Sequence, residues 1–390
     1  MFAELLTVFN SSRFEASFVQ GIYFCMTFSG GILWGWIIQK LGTGPSTIFG
    51  ILLSTVGLIG CSFAINMAEI IAFAGLVSGI GMSVCYLSTF ISVSEAFKKD
   101  PRLYLTALTL GASFGHVAVP MIFEIVIAKF FWSGAFVILA GFVLQCLPFA
   151  IILYARSDSL SDVKQGASST PVVCDTNIFK DFTLCSIMFN VLLMFMTGNI
   201  EGLFIVDQMI DNNFTRSEGS IVISVTGVAA VLGRALASLI VFKCKKWPMM
   251  NHFIYLCLIL AAAHTLVLRF IDSFKLLMLA CVLRGAAFSM FNALTPTVVY
   301  EASGYEKYPA AMAFANVSIG LGDFLSCVLG GTARDVFGNY NMVYYVSIGT
   351  AVYVTMSSMI NAYLIRRNNE RKNCELINDV NSKLGYDTLK

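Results

Sequence analysis

The stretch 217-SEGSIVISVTGVAAVLGRALASLIVFKCKK-246 is an apolar run that contains one arginine, Arg234, and ends in a cluster of lysines. A run of this length can cross the hydrocarbon core of a bilayer as a single helix. An arginine at that depth costs roughly 2.5 to 3.5 kcal/mol on the insertion scale, so it normally faces a protein interior or a wet cavity. Small and hydroxyl residues share its helix face, namely Thr226, Gly227, Ala230 and Ser238. We interpret this face as the wall of a polar cavity.

The composition extends this interpretation to the whole chain. Of the 390 residues, 57% are hydrophobic and 12% are charged, which is far more apolar than an ordinary soluble domain. Because the bilayer core offers no water to backbone groups, repeated apolar runs must be helices that span it. We predict an all-α membrane protein with eleven complete spans, at residues 15–38, 45–64, 69–94, 101–126, 133–154, 181–205, 217–242, 248–269, 274–299, 308–333 and 340–365.

The distribution of positive charge predicts the orientation. Most of the 25 Lys and Arg residues fall in alternate connections and in the carboxy-terminal tail, which places that tail in the cytoplasm and Met1 outside. Two glycosylation sequons, at Asn10 and Asn213, then lie on the outer side. The net charge of +2 gives no reason to expect nucleic acid as a partner. The 11 cysteines have no metal-binding or disulfide spacing, so we expect no metal site.

A long polar, Ser-rich connection divides the chain into two bundles. We predict an N-terminal bundle at 1–154 with a truncated first helix, a cytoplasmic linker at 155–180, a six-helix bundle at 181–366 and a cytoplasmic tail at 367–390. The halves echo each other, because Gly79 and the pair Glu95-Ala96 recur 206 residues later as Gly285 and Glu301-Ala302. Such a duplication is typical of secondary transporters, whose binding site lies between the bundles near the membrane midplane.

Several motifs resemble those of the monocarboxylate transporter family of the major facilitator superfamily. In the first half they are carried by Phe2, Glu4, Leu5, Leu6, Phe9, Asn10, Ser12, Ser17, Phe18, Gly79, Gly81, Tyr86, Phe97, Lys98, Lys99, Gly134, Ala135, Phe136 and Gly141. In the second half Gly233-Arg234 is similar to the family's eighth-helix arginine, and a further loop motif is carried by Gly331, Asp335, Gly338 and Tyr340. The resemblance covers nearly the whole chain. It implies the major facilitator fold, alternating access and a small carboxylate as substrate.

Two features depart from the family pattern. The aspartate that proton-coupled members carry four residues before the arginine is Ala230 here, and most of the family's first helix is absent from the sequence. Asp323 lies well inside a predicted span and is our candidate for the replacement proton carrier, because an isolated buried carboxylate tends to take up a proton. An alternative interpretation follows from the same departures. The chain could be a transport-inactive interaction or sensor protein derived from such a transporter.

The candidate substrate-binding residues are Arg234, Arg284, Asn292 and Tyr86. A planar guanidinium suits a carboxylate because it can donate two parallel hydrogen bonds. Arg284 lies about 15 Å into its predicted helix by helical rise, and a salt bridge to Asp323 is the competing role for it. Arg234 could instead tie helices together, and packing would account equally well for Asn292 and Tyr86. The polar residues His116, Glu124 and Glu201 are better explained as a core histidine and two interfacial acids.

The remaining predictions concern gating, partners and location. The loop charges Lys98, Lys99 and Asp335 are candidates for a latch between the bundles, although a solvated surface would look the same. The sequence has no HExxH motif, nucleophile elbow or P-loop, so we expect neither an enzyme nor a cofactor. The expected partners are a small carboxylate, protons and the lipid bilayer. The resemblance favours the plasma membrane and leaves open a single-span accessory protein.

Overall fold

The computed structural model describes residues 9, 13–30, 34, 37–38, 40–97, 100–161, 180–244, 247–337 and 340–383. Every regular element within these ranges is a helix, so the prediction of an all-helical membrane protein is confirmed. Helices are the expected solution for so apolar a chain, because each satisfies its own backbone groups without water or a neighbouring strand.

The first half contains six described helical elements. They are α1 (Arg13–Ser29), α2 (Thr43–Ser62), α3 (Met67–Ala96), α4 (Arg102–Leu108), α5 (Leu110–Leu144) and α6 (Leu147–Ser161). A π-helical segment occupies Ile71–Ser78 within α3. Helix α5 is interrupted at Phe131, whose φ of 59° is non-helical, so its two parts correspond to two different predicted spans.

The second half contains another six. They are α7 (Phe182–Gly198), α8 (Ile200–Asp211), α9 (Arg216–Lys243), α10 (Met249–Arg269), α11 (Phe274–Phe337) and α12 (Asn341–Lys383). Helix α11 is interrupted at Gly304, where φ is 72°. Glycine adopts this left-handed conformation without the steric penalty that a side chain would bring. The break divides α11 into the two spans that the sequence predicts at 274–299 and 308–333.

Seven helices of the described part are long and apolar enough to cross a membrane, and the total of eleven spans stays a prediction. One of these helices, Phe274–Gly330, contains the Gly304 break. The predicted span at 181–205 differs from the structure, in which a turn at Asn199 separates α7 from α8 and the second piece continues to Asp211. Sequence hydropathy averaged over the span does not detect this turn, because most residues of α7 and α8 are apolar.

Packing joins the two halves as well as the helices within each half. Phe90 and Leu105 of the first half belong to the same buried cluster as Phe253, Phe291 and Tyr308 of the second half. Within the first half, α2 and α3 approach so closely at Gly50 that a Cβ atom there would lie 2.6 Å from the Gly81 carbonyl oxygen. Small residues commonly permit such close helix contacts in membranes. The halves are thus packed against each other around a shared interface.

Candidate functional site

Arg234 links the two halves. It lies on α9 with 5% of its surface exposed, and its Nη1 donates a hydrogen bond of 2.8 Å to the carbonyl oxygen of Thr109, at the turn between α4 and α5. Its Nε has no hydrogen-bond partner among the residues that the structure describes. A guanidinium carries five N–H donors, so the bond to Thr109 orients the group and occupies only one of them. Arg234 therefore retains donors for a further acceptor.

Gly233 allows α9 to lie against α11 beside this arginine. A Cβ atom on Gly233 would be 2.5 Å from the Ala286 carbonyl oxygen, which real Cβ atoms essentially never approach. Ser289, one turn further along α11, donates a hydrogen bond of 2.6 Å to the Ala230 carbonyl. The position that carries an aspartate in proton-coupled family members is therefore occupied here by an alanine in a close helix contact.

Asp323 is buried on α11, with 4% of its surface exposed. Its carboxylate accepts a hydrogen bond from the side-chain amide of Asn199, the residue at the turn between α7 and α8. The salt bridge between Arg284 and Asp323 that the sequence suggested is not formed. Instead Arg284 Nη1 donates a hydrogen bond of 2.6 Å to the carbonyl oxygen of Gly198, so α11 binds both sides of the same turn. Helix breaks expose backbone groups that need such partners.

Tyr86 lies in the same region as the arginine and the aspartate. This residue of α3 lies within electrostatic range of both Arg234 and Asp323, and its ring packs edge-on against Phe28 at a centroid distance of 5.2 Å. A cation from α9 and a carboxyl group from α11 are thus both within electrostatic range of a phenol from α3. We call Arg234, Asp323 and Tyr86 the central site. Asn292 is half-buried on α11, and the described residues show no contact that joins it to these three.

A different set of polar contacts joins the halves at the end that the charge distribution predicts to be cytoplasmic. Arg102 Nη1 lies 3.3 Å from Glu301 Oε1, and the hydroxyl groups of Thr106 and Thr297 are 2.8 Å apart. The Glu301 carboxylate also accepts a hydrogen bond of 2.8 Å from the Met249 backbone N–H, at the start of α10. We call Arg102, Thr106, Thr297 and Glu301 the bridging cluster.

The latch that the sequence predicts consists of other residues, and it stays a prediction. Lys98 and Lys99 lie outside the described residues, and so does the side chain of Asp335. Two signals could have indicated the bridging cluster: Arg102 ends the basic loop that contains those lysines, and Glu301 begins the Glu-Ala pair that repeats Glu95-Ala96. Asn199 was also missed, although an asparagine after a glycine inside an apolar run is a sign of a helix break.

Of the remaining predicted residues, one is exposed in a turn and the others lie outside what the structure describes. Asn213 is exposed in the turn between α8 and α9, with a φ of 65° that asparagine tolerates better than most residues. Asn10 lies outside the described residues, as do the side chains of His116, Glu124 and Glu201. Within the part of the chain that the structure describes, no group of three or more His, Cys, Asp or Glu side chains could hold a metal ion.

The family is established by comparison with known proteins. Residues 1–326 match the model of the Major Facilitator Superfamily, and the chain belongs to that superfamily. It is 21% identical to human monocarboxylate transporter 6 over 364 residues, which cover 89% of this chain and 72% of that protein. It is 23% identical to rat monocarboxylate transporter 12 over 376 residues, which cover 88% and 76%. The resemblance to monocarboxylate transporters seen in the sequence motifs is thus confirmed.

Solved structures agree on the fold. The proton:xylose symporter XylE, bound to 6-bromo-6-deoxy-D-glucose, matches with a TM-score of 0.74 and 13% identity over 91% of this chain and 89% of that one. The Escherichia coli fucose:proton symporter FucP matches with a TM-score of 0.69 and 14% identity over 92% and 93%. The chain is therefore a multi-pass membrane transporter of the major facilitator fold, and the plasma membrane is the location that fits its relatives.

Proposed function

We propose that this transporter moves a small monocarboxylate, which binds to Arg234. The observation that carries the proposal is the geometry of that arginine: it is buried at the interface of the halves, its Nη1 is oriented by the Thr109 carbonyl, and its Nε has no partner among the described residues. An unused donor on a buried cation is costly unless an acceptor reaches it. A carboxylate supplies both the acceptor atoms and the opposite charge.

The surroundings of Arg234 favour a small and partly apolar solute. Tyr86 offers a phenolic hydroxyl within electrostatic range of the cation, and the aromatic residues Phe28 and Phe90 pack on its ring. One carboxylate would satisfy the arginine, while a short hydrocarbon part would lie against the aromatic groups. The curated relatives are named as monocarboxylate transporters, which supports the same choice.

Asp323 is our proposed proton carrier. The residue is buried and accepts a hydrogen bond from Asn199. It forms no ion pair with any described residue. A neutral acid in such a place avoids the cost of an isolated charge. Protonation of Asp323 would add one positive charge to balance the carboxylate that enters. Substrate and proton would then cross together as the two halves rock about the central site.

The bridging cluster would hold one access state. It joins α4 to α11 at one end of the interface, so its contacts must separate before a path opens on that side. Alternating access requires that such contacts be breakable on each cycle. Partly exposed ion pairs and hydroxyl contacts meet this requirement, because each contributes only a modest free energy.

Uptake into cells tests the proposal directly. Radiolabelled lactate and other monocarboxylates are supplied at about pH 6 and about pH 7.5, values that bracket the physiological range. We expect uptake by the wild-type chain and its loss in Arg234→Ala, while Arg269→Ala, which removes an exposed arginine at the end of α10, retains it. Surface-expressed wild-type protein that moves no monocarboxylate at either pH would refute the proposal and favour a transport-inactive role.

A further inference from the structure

Asn316 is a buried asparagine in the part of α11 that follows the Gly304 break. Only 1% of its surface is exposed, and its side-chain oxygen Oδ1 has no hydrogen-bond partner among the described residues. Buried polar groups nearly always have a partner, so an orphaned acceptor calls for an explanation. Asn190 of α7 shares both properties, and the position of Asn316 in the fold is what distinguishes the two.

Two glycines show which helices flank this part of α11. A Cβ atom on Gly320 would lie 2.7 Å from Ser29 Oγ, so one side of α11 is in close contact with α1 of the first half. A Cβ atom on Gly322 would lie 2.6 Å from the Leu192 carbonyl oxygen, so another side is in close contact with α7 of the second half. This part of α11 therefore packs between the two halves.

Asn316 faces the sector between these two contacts. Successive residues of an α-helix are about 100° apart around its axis, which places Asn316 about 40° from the contact with α1 and about 120° from the contact with α7. Asp323, seven residues later, falls in the same sector. Leu321 and Leu325 lie on the opposite side of α11 and are 40% and 38% exposed, as expected for residues that face lipid. Asn316 thus faces the protein interior on the same side of α11 as Asp323.

Tyr86 lies at about the depth of Asn316. Its phenol is within electrostatic range of Asp323, seven residues after Asn316, and of Tyr308, eight residues before it. By helical rise these two residues are about 10 Å and about 12 Å from Asn316 along α11, in opposite directions. The same phenol is within electrostatic range of Arg234. Tyr86 therefore relates the depth of the asparagine to that of the arginine.

The packing of the neighbouring turns agrees with this placement. One turn before the amide, Ala313 belongs to a buried cluster with Leu87, the residue next to Tyr86. One turn after the amide, a Cβ atom on Gly320 would lie 3.1 Å from the Cβ of Phe28, whose ring packs edge-on against Tyr86. The turns of α11 on both sides of the asparagine thus contact residues that flank the phenol.

We propose that Asn316 is a second substrate contact, whose Oδ1 accepts a hydrogen bond from a hydroxyl group on the monocarboxylate that Arg234 binds. The inference rests on the proposed function, and it narrows the substrate class to small hydroxy acids. A guanidinium only donates hydrogen bonds, so an acceptor for the hydroxyl hydrogen must come from another residue. A buried acceptor discriminates against an analogue without the hydroxyl, because that analogue leaves the acceptor unpaired.

Uptake of three matched acids tests the inference. Cells that express the full chain receive radiolabelled butyrate, 2-hydroxybutyrate or 3-hydroxybutyrate, which differ only in the hydroxyl group, and uptake by cells without the chain is subtracted. We expect the wild type to take up at least one hydroxy acid about tenfold faster than butyrate, or more. Asn316→Leu keeps the approximate shape of the side chain but removes the acceptor, so the ratio should fall close to one.

Asn190→Leu is the matched control. Asn190 is buried to the same extent, but it lies on the side of α7 that faces α12. Four residues before it, the Ser186 hydroxyl is 3.0 Å from that of Ser357, and seven residues after it, the Thr197 hydroxyl is 3.4 Å from that of Thr350. We expect this variant to keep the wild-type ratio. The three chains are compared at equal surface expression.

The outcomes separate this inference from the proposed function. Equal uptake of the three acids by the wild type would overturn the inference and leave a monocarboxylate as substrate, whether or not Asn316→Leu folds. A preference for the hydroxy acid that survives in Asn316→Leu would assign the recognition of the hydroxyl group to another residue. Uptake of none of the three acids by surface-expressed wild type would refute the proposed function, and this inference with it.

Discussion

Arg102 of the first half donates a hydrogen bond to Glu301 of the second half, with 3.3 Å between Nη1 and Oε1. The two side chains retain 23% and 20% of their exposure, so solvent weakens the attraction between them. Ion pairs of this kind contribute about 0.2 to 1 kcal/mol. The contact can therefore bias the protein towards the state in which this end is closed, and it can still break on every transport cycle.

The first prediction concerns this pair. Glu301→Gln removes the charge but keeps an oxygen that can accept from the Met249 N–H, so the protein should fold normally. We expect the equilibrium to shift towards opening by up to about fivefold. Hydrogen–deuterium exchange should then be faster in the peptides that contain Thr106 and Thr297. Glu95→Gln changes the corresponding glutamate of the first half and serves as the control. Equal effects in the two variants would contradict a bridging role for Glu301.

The second prediction concerns Arg234. Arg234→Lys keeps the positive charge but replaces the planar fork by a single ammonium group, which cannot bind Thr109 and a carboxylate in the same geometry. We expect monocarboxylate uptake at low substrate concentration to fall about tenfold or more. Arg269→Lys, at an exposed position, should have no effect. Full activity in Arg234→Lys would mean that charge alone suffices and that the hydrogen-bond geometry of the arginine is irrelevant.

The third prediction concerns Asp323. If it carries the proton, uptake should be greater at about pH 6 than at about pH 7.5, because the acid must be protonated before transport. Asp323→Asn keeps an acceptor for the Asn199 amide but cannot titrate, so its uptake should no longer respond to pH. Asp272→Asn changes an exposed aspartate between α10 and α11 and should preserve the response. A pH response that survives in Asp323→Asn would assign coupling to another group.

The fourth prediction concerns the close contact of α9 with α11. Gly233→Ala places a methyl group 2.5 Å from the Ala286 carbonyl oxygen, so the helices must move apart. Overpacking of this kind typically costs about 1 to 3 kcal/mol. We expect a lower melting temperature of the purified protein and a loss of uptake, because Arg234 moves with α9. Gly141→Ala is the matched control, since nothing lies within 4 Å of its added Cβ. Equal melting temperatures for both variants would contradict the contact.

The fifth prediction tests orientation. Asn213 is exposed in the turn before α9, and its sequon hydroxyl belongs to Thr215, whose side chain caps that helix. If the turn faces outwards, expression in glycosylating cells should give a protein whose mass falls on glycosidase treatment. Asn213→Gln should remove that fraction, while Asn10→Gln reports separately on the other sequon. A protein without glycan at Asn213 would leave the outward orientation of this turn unsupported.

The fold could be predicted from the sequence because hydropathy and lipid physics leave few alternatives. Apolar runs such as Ser217 to Phe242 must be helices in a bilayer, and the motif pattern around Gly233-Arg234 indicated the superfamily. The positions of breaks within helices could not be predicted in the same way. The breaks at Phe131 and Asn199 occur within or next to apolar runs, and the turn at Asn199 is held by Arg284 and Asp323 of α11, which is distant in the sequence.

The candidate site could be predicted only in part. A lone buried arginine or aspartate stands out in an apolar helix, and both Arg234 and Asp323 proved to be buried. Their partners could not be predicted, because a carbonyl such as that of Thr109 has no signature in the sequence. The same reason explains why charge alone offers Asp323 as a possible partner for Arg284, whereas in the structure Arg284 binds the Gly198 carbonyl.

The hydrogen bond from Met249 N–H to Glu301 has a consequence for how the transporter opens. This bond lies wholly within the second half, at a helix N-terminus, where the backbone dipole favours negative charge. Arg102 likewise keeps its ion pair with Asp100 of the same half, in which Nε and Oδ1 are 2.8 Å apart. When the halves separate, each charge leaves with a local counterpart, and neither has to be hydrated alone. On opening, Arg102 and Glu301 each lose one partner, which water replaces, and each keeps a partner in its own half. The two side chains therefore stay in place, and the pair can form again without refolding.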